Sequence, residues 1–400
     1  MKDILEQKQE YGDAVGLNAT IAVPKNPTLG DDAILGLARE VCTRVIGRNA
    51  EASDRMSQPN PENFQALSEA GLLGLTLPKI WGGLEASGKA QREVTELLAA
   101  NCGVTTFIQA QHHGPSRMIL SCPNESLKRA LLPELASGRL KSGISFAHLR
   151  RPGPPILSAE RVAGGYVLNG VAPWVTGWGM IGQVAFGATL PDGRFVYLWS
   201  PVRRDDFPEL FSGVELYQGG GEMIGSPPLP LCAMNASATA EVTLKRWYIP
   251  DAHWLSESDR ETMQRNDRNG VLGATSMPLG CTGAAILLLH NLSEKRSIPC
   301  IKSACESLER EWKDLKAQIE AQHLASGEPD FFEKAVSLRA WCIELATRAA
   351  LAAISASSGS ANSLSHPAQR LLREAMFYSI QAQTSDVMAA TLARLVGRRK

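Results

Sequence analysis

The chain has 400 residues, of which 44% are hydrophobic and 20% are charged, and its 41 basic side chains balance 41 acidic ones. This length exceeds one ordinary hydrophobic core, so two or three domains are expected, and the composition supplies enough apolar residues to fold them. The neutral charge removes any electrostatic reason to expect nucleic acid or an anionic membrane as the main partner, and neither is predicted.

The cysteines and the termini bear on the compartment. The eight cysteines are scattered, with no Cys-x-x-Cys pair and no histidine at metal-ligand spacing. This pattern is typical of free thiols in a reducing cytosol and predicts no metal site. Residues 1–7 are too polar for a signal peptide, residues 284–289 are too short an apolar run to cross a bilayer, and the basic residues 398–400 are interpreted as solvated. We therefore expect a soluble, cytoplasmic protein.

The first third of the chain is predicted to be helical. Residues 1–30 are interrupted by glycine and proline and are interpreted as a loose N-terminal arm. From Asp31 onward apolar residues recur every three or four positions, which predicts a helix. Further helices are predicted over residues 62–70, 90–101 and 124–137, so residues 31–140 are interpreted as an α-helical domain.

The middle of the chain changes to strand-like patterns. Strands are predicted over residues 144–148, 183–190, 195–200 and 238–245, with a turn at residues 191–193. A further hairpin is predicted, in which Asn169-Gly170 forms the turn and the following strand places Trp174 and Thr176 side by side on one face. Residues 141–250 are therefore interpreted as a β domain.

The last segment, residues 251–400, returns to helical periodicity. Long helices are predicted over residues 301–323, 330–353 and 367–396, and another carries Arg296. Long helices joined by short links are typical of an antiparallel bundle.

Several segments resemble the acyl-CoA dehydrogenase superfamily. Residues 166–177, YVLNGVAPWVTG, are similar to its "LNG-x-x-x-W-[IV]-T" segment, which lies against FAD. Residues 71–83 resemble its "GLLGL…P…GG", residues 132–138 its "LP-x-L-A-x-G", Ile249-Pro250 its "VP", and Arg373-Glu374-Ala375 its "RDA". The order and separations of these segments match the family. The resemblance implies an α+β multidomain fold with an N-terminal α-helical domain, a middle antiparallel β domain and a C-terminal four-helix bundle.

The resemblance also implies a cofactor and the residues that hold it. FAD would lie between the β domain and the bundle, and an acyl-CoA or a related small molecule would be the substrate. Because the family's arginine at position 296 reaches the pyrophosphate across a subunit boundary, a homodimer or homotetramer is implied. The candidate cofactor-binding residues are Phe146, His148, Trp174, Val175, Thr176, Arg296, Gly359 and Thr384.

The chain departs from the family where catalysis should occur. The family's usual base, a glutamate, aligns with Ala382, and the alternative base position aligns near Gly270. Asp386 and Asp267 lie one helical turn from these vacancies and are candidates for a displaced base, or they are solvated surface charges. The catalytic residue therefore stays unassigned.

The loop that follows Phe146 also departs from the family. Residues 149–155 lack the family's Thr and Gly-Ser-Asp, and Arg150 and Arg151 could bind a phosphate there, or they could be surface arginines. His148 could donate a proton to a flavin intermediate or form a hydrogen bond with it, or it could be a core or interface histidine. The adjacent His112 and His113 point too far apart on a helix to share a metal.

Three functions remain open. The first is an FAD-dependent oxidoreductase acting on an acyl thioester or a related small molecule without the usual catalytic glutamate. The second is a flavin-dependent monooxygenase on the same fold, which needs no base for an α-proton. The third is a non-catalytic binding or structural member that keeps the fold and has lost the dehydrogenase chemistry.

Overall fold

A computed structural model describes residues 29–202 and 221–397. Nearly all of the predicted N-terminal arm and the basic residues 398–400 lie outside the described residues. The helical domain begins at Asp31, and Asn60, Ser87 and Asn124 each accept a backbone hydrogen bond at a helix start. Its helices are α1 (Asp31–Val41), which continues through a π-helical turn (Cys42–Ile46) into α2 (Gly47–Arg55), then α3 (Pro61–Glu69), α4 (Gly88–Asn101), α5 (Gly103–Ser121) and α6 (Glu125–Ala136).

The β domain is one eight-stranded sheet with the order β6-β7-β3-β2-β4-β5-β8, and β1 pairs with β4 beside this path. Most neighbours are antiparallel, but β1 runs parallel to β4 and β2 meets β4 in a parallel bridge, so the predicted antiparallel domain is a mixed sheet. The strands are β1 (Ser142–Ser145), β2 (Leu157–Val162), β3 (Gly165–Val175), β4 (Gln183–Thr189), β5 (Phe195–Pro201), β6 (Glu222–Gly225), β7 (Ala240–Pro250) and β8 (Trp254–Ser258).

The predicted Asn-Gly hairpin turn is wrong, because Asn169 and Gly170 lie inside the continuous strand β3. The register with β7 shifts between Leu168 and Gly170, which marks a β-bulge. The Asn169 side chain accepts a hydrogen bond from the Arg246 backbone N–H at 2.8 Å. Gly170 has φ of 126°, and a Cβ there would overlap the Ile156 carbonyl oxygen. The residue pair that favours a turn in isolation here serves a bulge.

The sheet also extends past the predicted boundary at residue 250. Strand β8 pairs antiparallel with β5, so the chain leaves the sheet only at Ser258. The reason is tertiary, since β8 is short and finds its partner far away in the sequence.

The C-terminal region contains a four-helix bundle, as predicted. Its central helix packs against all three of the others and also against α4 of the first domain, so one hydrophobic core joins both helical regions. The helices are α7 (Arg260–Asn269), α8 (Ser276–Arg296), α9 (Pro299–Leu324), α10 (Phe331–Ser357), α11 (Pro367–Tyr378) and α12 (Ser385–Val396), of which α8 to α11 form the bundle.

The predicted single helix over residues 367–396 is wrong. The first helix ends at Tyr378, and Ala382 takes a positive φ of 45°. Thr384 then caps the new helix α12 by accepting a hydrogen bond from the Val387 N–H at 3.3 Å. Apolar periodicity continues across the break, which explains why the sequence pattern concealed it.

Within the described residues, one helical stretch, Val271–Arg296, is long and apolar enough to span a membrane by length and composition. Of its most apolar window, 72% is buried inside the protein. A helix that is apolar on every side is also what the centre of a bundle requires.

Candidate cofactor and active site

The end of strand β3 places Trp174 and Thr176 differently from the prediction. The register shifts between Ala172 and Val175, where β3 ends, so simple alternation does not continue to Thr176. The Trp174 side chain is 44% exposed, whereas Val175 and Thr176 are buried. The Thr176 hydroxyl lies 3.2 Å from the Thr239 hydroxyl. An accessible indole is therefore present, but the hydroxyl predicted beside it is already engaged.

Phe146 and His148 follow strand β1, which ends at Ser145, so His148 lies on a 3-10 turn (Ala147–Arg150) rather than on a strand. The Phe146 ring meets the Tyr197 ring edge to face, with centroids 5.8 Å apart. The His148 Nε2 donates to the Gly187 carbonyl at 3.0 Å. This bond falls on β4 between its last pairing with β1, at Phe186, and its bridge to β2.

The protonation state of His148 follows from its surroundings. Burial lowers the pKa of His148 to about 4, so the imidazole is neutral near neutral pH. Because Nε2 carries the proton, Nδ1 is a lone-pair acceptor, and it has no hydrogen-bond partner among the described residues. The geometry makes His148 an acceptor and not the proton donor considered from sequence.

Arg150 is committed to an ion pair. Its guanidinium donates two hydrogen bonds to the Asp267 carboxylate, at 2.8 and 2.6 Å, and so ties the turn after β1 to helix α7. These bonds raise the pKa of Arg150. Arg150, a candidate phosphate ligand, and Asp267, a candidate base, thus neutralise each other, while Arg151 stays exposed.

Neither base position offers a proton acceptor. Ala382 and Gly270 are both exposed, and Asp386 is exposed in the first turn of α12. Beneath these positions lies Arg339, which is 3% exposed. It donates to the Val271 carbonyl at 3.1 Å and to the carbonyls of Gln381 and Ala382 at 2.7 and 3.3 Å.

Arg339 was not anticipated from the sequence. Burial lowers the pKa of Arg339 to about 10, which leaves it a cation at neutral pH. It fixes the two segments that carry the vacant base positions by binding their carbonyl oxygens. The available signal was an arginine within a run of small and apolar residues, at Ala335, Val336, Leu338 and Ala340.

Arg296 and Gly359 come together at the end of helix α10. The Arg296 guanidinium donates to the Ala356 carbonyl at 2.7 Å and to the Ser357 carbonyl at 3.4 Å, and so caps the helix. Gly359 follows in a 3-10 turn, and a Cβ there would meet only open space. Thr384 lies elsewhere and uses its hydroxyl as the α12 cap.

Of the two adjacent histidines, His112 has a structural role. The His112 Nε2 donates to the Leu135 carbonyl at 3.1 Å, and its Nδ1 accepts from the Ser142 N–H at 3.2 Å. Burial lowers the pKa of His112 to about 4 and that of His113 to about 3. His112 therefore joins helices α5 and α6 to the sheet as a neutral ring.

Comparison with known families identifies the N-terminal domain. The profile of the family described as "Acyl-CoA dehydrogenase, N-terminal domain" matches residues 30–139. The chain is 22% identical to the probable acyl-CoA dehydrogenase YngJ of Bacillus subtilis, covering 90% of this chain and 95% of that protein. It is 23% identical to the oxygenase component of p-hydroxyphenylacetate 3-hydroxylase of Acinetobacter baumannii, covering 87% of this chain and 85% of that one.

Solved structures show the same fold. Butyryl-CoA dehydrogenase from Megasphaera elsdenii superposes with a TM-score of 0.75 at 16% identity, covering 94% of this chain and all of that one. The HsaA monooxygenase of Mycobacterium tuberculosis gives a TM-score of 0.72 at 17% identity, covering 93% of this chain and all of that one. Both a dehydrogenase and a monooxygenase thus share this architecture.

Proposed function

We propose that the chain is a member of the acyl-CoA dehydrogenase superfamily and an FAD-dependent oxidoreductase that does not use a carboxylate to remove a substrate proton. The observation that carries the proposal is the pair of vacant base positions, Ala382 and Gly270, in a fold that keeps an accessible indole at Trp174. A carboxylate in a dry site is what abstraction of an α-proton requires.

Several residues fit a flavin. The exposed part of the Trp174 indole would cover part of the ring system. Arg296, together with Gly359 in its open surroundings, would receive the pyrophosphate and adenosine region of a neighbouring subunit's cofactor. The unpartnered Nδ1 of His148 would accept a hydrogen bond from a donor group. When bound, the flavin would accept a hydride in its oxidised form, or in its reduced form supply two electrons that, with two protons, let one atom of O2 enter the substrate and the other leave as water.

The protein's own residues favour the second reaction. Asp267 is an acidic side chain near a vacant position, but two hydrogen bonds from Arg150 hold it in an ion pair. Arg339 instead holds the backbone of both vacant segments in place. Oxygenation needs no α-proton base, so we favour a flavin-dependent monooxygenase over an acyl-thioester dehydrogenase.

A second candidate is a binding protein without redox chemistry. It is favoured by the hydroxyls of Thr176 and Thr384, which both already form hydrogen bonds within the chain. For the flavin-dependent function we propose a cytoplasmic homodimer or homotetramer, since Arg296 would serve the cofactor of a neighbouring subunit.

FAD titration of the purified protein tests the proposal. We expect a yellow protein, or one that takes up FAD with a thermal shift, whose reduced flavin consumes O2 and whose oxidised flavin is not bleached by an acyl-CoA under anaerobic conditions. Anaerobic bleaching would instead establish the dehydrogenase, and a protein that takes up no FAD would leave the binding function.

A further inference from the structure

A hollow of about 710 Å³ opens at one end of the sheet. It lies where the β2–β3 turn, the β4–β5 hairpin and the β7–β8 connection meet, and its walls include the rings of Tyr166 and Trp254. Its volume falls within the range typical of small-molecule sites. None of the residues proposed to hold FAD lines it, so it is a separate feature of the protein.

The rim of the hollow is built from ion pairs. Arg161 forms hydrogen bonds with both oxygens of Asp251 and stacks over the Tyr166 ring, with its guanidinium carbon 4.6 Å from the ring centroid. Arg194 bridges Asp192 and Glu257, at 2.8 Å to each. Two guanidinium groups therefore face three carboxylates, which leaves the lining with an excess of one negative charge.

The hydrogen bonds already made in the rim favour a ligand that donates. The Tyr166 hydroxyl donates to one Glu257 oxygen at 3.1 Å, and Arg194 donates to the other at 2.8 Å. Burial and this bond to Glu257 raise the pKa of Tyr166, so the hydroxyl keeps its proton. Each carboxylate oxygen can still accept a second hydrogen bond.

An anionic ligand meets the opposite situation. It would compete with the Asp251 carboxylate for Arg161, and with two carboxylates for Arg194. The half-buried Trp254 meanwhile offers an apolar, aromatic wall beside these charges. Charge and surface therefore both favour a cation that carries a flat apolar body.

We propose that this hollow binds a small organic amine in its protonated form. The ammonium group lies against the carboxylates of Glu257 and Asp192, which are held together by Arg194, and the apolar body packs on Trp254. The site requires no flavin and stands whether or not the proposed redox function is correct.

Three probes with the same aromatic body separate charge from shape. Phenethylamine, phenethyl alcohol and phenylacetate are titrated into the full-length protein at low salt and neutral pH, with binding followed by saturation-transfer NMR and calorimetry. We expect the amine to bind about tenfold or more tightly than the alcohol, as loss of a charge-assisted hydrogen bond predicts. Phenylacetate should bind more weakly still, and added salt should weaken the binding of phenethylamine.

Matched variants then locate the site. Glu257→Gln removes the charge but keeps a side-chain oxygen for the Tyr166 hydroxyl, and it should weaken phenethylamine about tenfold. The control Glu222→Gln removes the same charge from an exposed ion pair with Lys245 on strand β6, outside the hollow, and should leave affinity unchanged. Trp254→Ala removes the apolar wall of the hollow and tests it independently of the charge.

Four results would overturn the proposal. They are equal or tighter binding of phenylacetate, unchanged amine affinity in folded Glu257→Gln, an equal loss in Glu222→Gln, and no amine binding to the unmodified protein. If Trp254→Ala unfolds, circular dichroism will show it, and Glu257→Gln alone decides the outcome.

Discussion

Arg370 is a buried cation whose removal should strongly destabilise the fold. It donates to Glu374 at 2.9 Å and to Glu51 at 3.1 Å, and the side chains of Arg370 and Glu374 are only 6% and 4% exposed. The same Glu374 oxygen accepts from the Gly103 N–H at 3.0 Å, so the cluster joins α11 to the N-terminal domain. In Arg370→Met the Glu374 carboxylate loses its cation, and unfolding should become easier by about 3 to 5 kcal/mol at neutral pH.

The pH dependence of this loss has a definite sign. Burial already raises the pKa of Glu374 above its ordinary value of 4.5, with Arg370 opposing the rise. Removing Arg370 raises it further, so the folded variant binds a proton more readily than the unfolded chain does. The loss in free energy of unfolding is therefore largest above the pKa of Glu374 in the folded variant, and it shrinks as pH falls toward 4.5.

Urea unfolding followed by circular dichroism measures both the loss of stability and its pH dependence. It is carried out at neutral pH and near the lowest pH at which the protein stays folded. The control is Arg139→Met, which breaks an exposed ion pair with Glu134. The Arg139 side chain is 66% exposed and that of Glu134 is 37% exposed. That pair should contribute less than about 1 kcal/mol. A loss in Arg370→Met no larger than in the control, or one that grows on acidification, would refute the reasoning.

Three further predictions concern the cofactor site and the sheet. Trp174→Ala should weaken FAD binding about fivefold or more, because a stacked aromatic contributes about 1 kcal/mol, and Trp174→Phe should recover part of it; a fluorescence titration showing unchanged FAD affinity would place the flavin elsewhere. Ala382→Glu should remain soluble, since Ala382 is exposed, and its flavin should stay unbleached by an acyl-CoA under anaerobic conditions, because an exposed carboxylate is not in the dry site that removal of an α-proton requires; bleaching in this variant would contradict the choice of a monooxygenase. Gly170→Ala should lower the free energy of unfolding by more than about 1 kcal/mol, because its Cβ would overlap the Ile156 carbonyl at a φ of 126°, and unchanged urea unfolding would count against the bulge.

The overall architecture was accessible from the sequence because it depends on local periodicity. Helix-period apolar residues from Asp31, β-rich segments in the middle and a return to helical spacing gave the order of the three regions. The antiparallel bundle followed from long helices with short links, and its count of four helices followed from the resemblance to the family. Local patterns of this kind survive in the fold because each element must bury one face.

The candidate site was less accessible. The sequence identified Ala382 and Gly270 as positions without a base, since that requires only residue identity. It did not show that Arg150 and Asp267 bind each other, because they are 117 positions apart. Nor did it show that Arg339 lies beneath both vacant base positions. The proposed FAD contacts and the oligomeric state remain predictions.

By itself, the sequence determined which residue types are available and where apolar periodicity changes, because both properties belong to short stretches of chain. The tertiary structure alone decided that Asn169-Gly170 forms a bulge, that β1 lies parallel to β4, and that residues 367–396 form two helices. Those outcomes depend on which strands and helices become neighbours. Pairing between distant segments sets the register, the burial and the charge partners that local preference leaves open.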